Sequence, residues 1–134
     1  MAQVHKIRDH LSLTMGAIVG TETALEIADI IVEISQFVDN FSRKQNFCIF
    51  MAIHHYLRCA IGELEFVLYL MTKDCVDEYY ILEHISHAIC KLELTQKKIE
   101  CLVNCGKIFE EYALVLNEEI NNFISKISNL HNFI

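Results

Sequence analysis

The chain has no proline at any of its 134 positions and only four glycines, Gly16, Gly20, Gly62 and Gly106. Proline breaks helices by removing an N–H and crowding the preceding turn. Tight strand-to-strand turns draw on glycine and proline for their special backbone angles. A chain this poor in both cannot supply the many turns of a strand meander, while little interrupts long helices. The expected fold class is therefore all-α. The length fits one domain, residues 1–134. Apolar residues make up 53% and charged residues 22% of the chain, which excludes a disordered polymer.

Apolar periodicity divides the chain into six expected helical segments. Val4, Ile7, Leu11, Met15 and Ile18 form one stripe over residues 2–19, broken at Gly20-Thr21. Thr23-x-x-Glu26 reads as a capping box opening a second helix to about residue 41, and the polar stretch 42–46 reads as a connector. Residues 47–72 are apolar over most of the helix circumference. Asp74 is placed to cap a fourth helix over 75–92, and a short fifth follows over 95–103. The last segment, 104–128, carries Ile108, Phe109, Tyr112, Ala113, Leu114, Val115 and Leu116 in nearly every direction. That distribution predicts a helix buried by neighbours on several sides.

Eleven Lys+Arg against eighteen Asp+Glu give a net charge of −7. Phosphate backbones demand clustered cations, and the compact basic groups are Arg43-Lys44 and Lys97-Lys98, so nucleic acid is not an expected partner. The N-terminal stretch has charges inside its apolar run and reads poorly as a signal peptide. Apolar runs fall far short of the ~20 residues of a membrane helix, so no transmembrane anchor is expected. The six cysteines, Cys48, Cys59, Cys75, Cys90, Cys101 and Cys105, then read as reduced core residues of an intracellular protein.

Catalytic signatures such as G-x-S-x-G, a P-loop or a dinucleotide glycine pattern do not occur. The pairs Glu110-Glu111 and Glu118-Glu119 diverge by about 100° on a helix and read as solvated faces. An enzyme is not expected. His84-x-x-His87-x-x-Cys90 and Cys101-x3-Cys105 offer ligand types that zinc accepts. Steps of three residues, however, drift by about 60° each around a helix. Neither metal nor cofactor is expected, and a small metal-binding or redox bundle built on these residues is an alternative reading.

Two stretches together resemble a known family. Tyr56-Leu57-Arg58-Cys59-Ala60-Ile61-Gly62-Glu63-Leu64-Glu65-Phe66 resembles the BH3 segment of the Bcl-2 family. Cys101-Leu102-Val103-Asn104-Cys105-Gly106-Lys107-Ile108 resembles its BH1 motif, and the distance from Leu57 to Asn104 is close to the family's separation. The short chain fits a divergent viral homologue, an iridovirus being one source. The resemblance implies a Bcl-2-like helical bundle around a buried central helix, shortened at its C-terminus. It also implies a hydrophobic groove that accepts amphipathic BH3 helices of pro-death proteins, making the chain an inhibitor of apoptosis. Leu64, Leu68, Met71, Leu94, Val103 and Phe109 would line that groove. Asn104 would cap the central helix, Gly106 would admit the ligand backbone, and Lys107 would pair with the ligand's aspartate.

The departures from the family pattern carry their own expectations. Cys105 stands where tryptophan is usual, Lys107 where arginine is usual, and Ile61-Gly62 where a small residue and an aspartate are usual. No Trp-containing BH2 motif follows, so the groove would be open at one end or covered by a second copy, implying a homodimer. The same departures suit a Bcl-2-fold modulator of innate immune signalling without BH3 binding. The expected location is the host cytoplasm, with recruitment to mitochondria through partners.

Overall fold

The computed structural model describes residues 19–44, 47–73 and 76–130, which form four α-helices with no strand among the described residues. Helix α1 spans Val19–Lys44, α2 Phe47–Met71, α3 Glu78–Asn104 and α4 Glu110–Leu130. None of them is long and apolar enough to cross a membrane. The expected helix over residues 2–19, apart from Val19, and the expected cap Asp74 lie outside the described residues, whereas the expected break at Gly20-Thr21 is instead the helical first turn of α1.

The later helices show how the sequence dictates the packing. In α3 the buried residues are Ile81, Ile85, Ala88, Leu92, Thr95, Ile99 and Leu102, in alternating steps of four and three. In α4 they are Ala113, Leu116, Ile120, Phe123, Ile127 and Leu130, with the same alternation. A seven-residue apolar repeat keeps one seam facing inward, the pattern of bundle helices packed side by side. The stripes on α1 and α2 are broader. Ile27, Ala28, Ile31 and Ile34 on α1, and Ala60, Ile61, Leu64, Val67 and Leu68 on α2, are all buried. Each such Leu or Ile contributes roughly 1.5–3 kcal/mol relative to exposure.

The four helices close a ring. Helix α2 packs on α1 and α3, α4 packs on α3 and α1, and the diagonal pairs do not come together. Short connections make sequential neighbours antiparallel. Phe41 meets Phe50 across α1 and α2 with ring centroids 4.8 Å apart. Gln96 donates to Asn121 Oδ1 across α3 and α4 at 2.7 Å. Lys126 and Glu33, at 2.7 Å, join the last helix to the first.

Several boundaries differ from expectation. Helix α3 is continuous through Leu94 and Thr95, where a break was expected. Thr95 is buried at an apolar heptad position because its hydroxyl donates to the Lys91 carbonyl at 2.9 Å, leaving nothing unsatisfied. The N-cap of α3 is Asp77, whose side chain accepts from the Tyr79 N–H at 3.0 Å. Thr23 is buried inside α1 and does not open it, and α1 carries through to Lys44, into the expected connector.

The buried central helix is also corrected among the described residues. The last helix begins at Glu110 and forms one wall of the ring, with Leu114 64% and Val115 63% exposed. Its apolar excess sits off the heptad seam and so faces outward.

Candidate functional site

The BH1-like stretch is the C-terminal stop of α3. The Lys107 N–H donates to the Leu102 carbonyl at 2.8 Å and the Gly106 N–H to the Val103 carbonyl at 2.9 Å. Gly106 has φ +72°, the left-handed conformation that glycine adopts without a Cβ penalty. This is a Schellman cap, which satisfies the last carbonyls of a helix. Asn104 is the final residue of α3; it does not cap the N-terminus of the next helix, because the chain must first make this turn. Helix α4 starts after Phe109, whose carbonyl accepts from the Ala113 N–H at 3.0 Å.

The turn leaves apolar side chains in solvent. Phe109 is 81% exposed, and Leu114 and Val115 are exposed on the first turns of α4. Val115 also lines an open cleft of about 570 Å³ between α1 and α4, together with Phe37, Glu33, Glu119 and Lys126. Lys107, exposed at the same end of α3, makes no ion pair among the described residues.

Five of the nine expected groove residues come together and the other four are scattered. Val103, Asn104, Gly106, Lys107 and Phe109 gather at the α3–α4 turn. Leu64 and Leu68 are sealed in the core and present no surface to a ligand. Met71 ends α2, ahead of α3, and the 27 residues of α3 span about 40 Å, so Met71 lies at the opposite end of the bundle from Lys107. Leu94 is half-buried midway along α3. Sequence reading did not include Leu114 and Val115 in the site. Their signal was available, since both fall off the heptad positions that Ala113 and Leu116 occupy.

A second cluster joins α2 to α3. His84 Nδ1 lies 2.6 Å from Glu63 Oε2 and His87 Nδ1 lies 3.8 Å from the same oxygen. One donor atom from each of the three residues lies within 4.8 Å of the others. Aromatic rings fix His84: Phe66 meets it edge-on at 4.7 Å and Tyr80 at 5.2 Å between centroids. The expected cysteine ligands are not part of this group. Cys90, Cys101 and Cys105 are free thiols and exposed, which also corrects their expected core placement. Cys59 is free and half-buried, while the side chains of Cys48 and Cys75 lie outside the described set.

Comparison with family models, with curated proteins and with solved structures yields no match.

Proposed function

We propose that the chain is a non-enzymatic interaction module that binds an amphipathic helix at the α3–α4 turn. The observation that carries this reading is the conjunction of exposed Phe109, Leu114 and Val115 with exposed Lys107, a cation without an ion pair among the described residues. Large apolar side chains exposed at one end of a bundle offer a binding surface. Helix-in-groove recognition needs apolar anchors spaced by helical turns, and the cleft beside Val115, floored by Phe37, offers a seat for them.

The partner we propose is the BH3 helix of pro-death Bcl-2 proteins, with its aspartate paired to Lys107. That identity rests on the resemblance at residues 56–66 and 101–108; the ring of described helices lacks the buried central helix that the resemblance implies, so the proposal concerns the partner and not the bundle's topology. With Leu64 and Leu68 sealed, the ligand seat is the α1–α4 side and not α2. The protein would act as an inhibitor of apoptosis in the host cytoplasm and reach mitochondria through its partner. The same exposed apolar side chains are what a second copy would cover in a homodimer, so peptide and dimer would compete.

Amide-shift mapping of the labelled protein with a BH3 peptide tests this placement. Shifts concentrated at residues 103–115 and on the facing side of α1 are expected. Shifts confined to the α2–α3 face would refute it.

A further inference from the structure

We propose that Glu63, His84 and His87 form a binding site for a divalent transition metal of the zinc type. Spacing alone argues against a metal, because His84, His87 and Cys90 drift by about 60° per step around one helix. The structure supplies a third ligand from another helix. Glu63 lies in α2, while His84 and His87 sit one turn apart on the facing side of α3.

The ligand chemistry suits zinc, which combines imidazole nitrogens with carboxylate oxygen in tetrahedral geometry. Bonds of about 2.0–2.1 Å place tetrahedral donors roughly 3.3 Å apart. The Glu63–His84 pair at 2.6 Å must open slightly, and the Glu63–His87 pair at 3.8 Å must close slightly. Both adjustments are under about 1 Å, and the two imidazole donors, within 4.8 Å of each other, need close by no more than about 1.5 Å, which side-chain rotation supplies.

Two further observations point to convergence on an ion. One carboxylate oxygen faces both imidazole Nδ1 atoms, although a single histidine would satisfy it as an ion-pair partner. The His84 ring also packs edge-on against Phe66 and beside Tyr80, contacts that limit its rotamers as a preorganised ligand requires. When both Nδ1 atoms bind the ion, the imidazole protons reside on Nε2. His84 and Glu63 are half-buried, whereas the His87 side chain is 49% exposed, so the fourth position faces solvent and takes water. The ion would clasp α2 to α3, stabilising the folded state by RT ln(1 + M/Kd), where M is the free metal concentration.

The site lies about 30 Å along α3 from Lys107, so this inference stands apart from the helix-binding reading. Its test is calorimetric titration of the chelator-treated full chain with Zn²⁺, followed by Co²⁺ as an optical probe. One equivalent should bind, with a tetrahedral cobalt spectrum and a raised Tm. Glu63→Gln and His87→Gln should each weaken binding by at least about 100-fold, since even outer partners of metal ligands cost about 10- to 100-fold. Cys101→Ser with Cys105→Ser should leave binding unchanged. Circular dichroism without metal confirms that each variant is folded, and His87→Gln, at a half-exposed position, is the variant least able to disturb the bundle. Absence of binding, binding that survives both ligand substitutions, or a thiolate-to-cobalt charge-transfer band would overturn the proposal.

Discussion

The ring of Phe123 meets that of Phe37 edge-on, with centroids 5.7 Å apart and planes at 72°. These residues lie on the last and first described helices, and their contact closes the four-helix ring. Phe123 is 1% exposed, so Phe123→Ala removes a large side chain that little can refill. The expected loss is about 3–5 kcal/mol, seen in urea unfolding as a lower midpoint with an unchanged slope. Lys126→Ala breaks the neighbouring surface pair with Glu33, both partly exposed, and should cost no more than about 1 kcal/mol. Comparable losses from the two substitutions would contradict a ring closed by apolar packing.

Gly62 and Gly106 should respond in opposite directions. Gly62 lies inside α2, and a Cβ there would meet nothing within 4 Å. Gly62→Ala should stabilise by about 0.5–1 kcal/mol through helix propensity. Gly106 has equal space but φ +72°, so Gly106→Ala should destabilise by about 1 kcal/mol from backbone strain. Thermal melts of the two variants check the sign of each.

Asn117 Oδ1 is buried between α3 and α4 without a hydrogen-bonding partner among the described residues. An orphaned buried acceptor costs about 1–3 kcal/mol. Asn117→Leu removes it and adds apolar surface beside the heptad seam. A gain of about 1 kcal/mol is expected, and a lower Tm for this variant would show that the carbonyl is satisfied in solution.

His54 carries a pH dependence. Burial, reinforced by the positive charge of Arg58 and opposed by Asp39, lowers its pKa below the usual 6.5. The unfolded chain therefore takes up this proton more readily than the folded one. Stability present above that value is lost as the pH falls through it. The Tm of His54→Gln relative to the parent protein should rise as buffer pH falls from about 7.5 to about 5. A difference independent of pH would mean that the imidazole titrates alike in both states.

The helical class was legible from the missing proline, and the heptads of α3 and α4 stand in the sequence at Ile81–Leu102 and Ala113–Leu130. Thr95 disguised the first, because a hydroxyl in an apolar register looks like a break until its bond to the Lys91 carbonyl is seen. Asn104 and Gly106 were ambiguous for a different reason. Glycine after a helix is a stop signal, yet the same residues open a helix in the motif they resemble. Glu63 could not be found by spacing at all, since its contact with His84 crosses between helices. Leu64 and Leu68 illustrate the converse, because an apolar residue on a helix reads alike whether it floors a groove or fills a core.

The most direct measurement is calorimetric titration of the full chain with a panel of BH3 peptides from pro-death proteins. At least one peptide should bind with Kd below about 1 μM, equivalent to about −8 kcal/mol. Lys107→Glu and Phe109→Ala should each abolish that binding without changing the helical circular dichroism. No binding across the panel, or equal affinity in both variants, would contradict a BH3-binding surface at the α3–α4 turn.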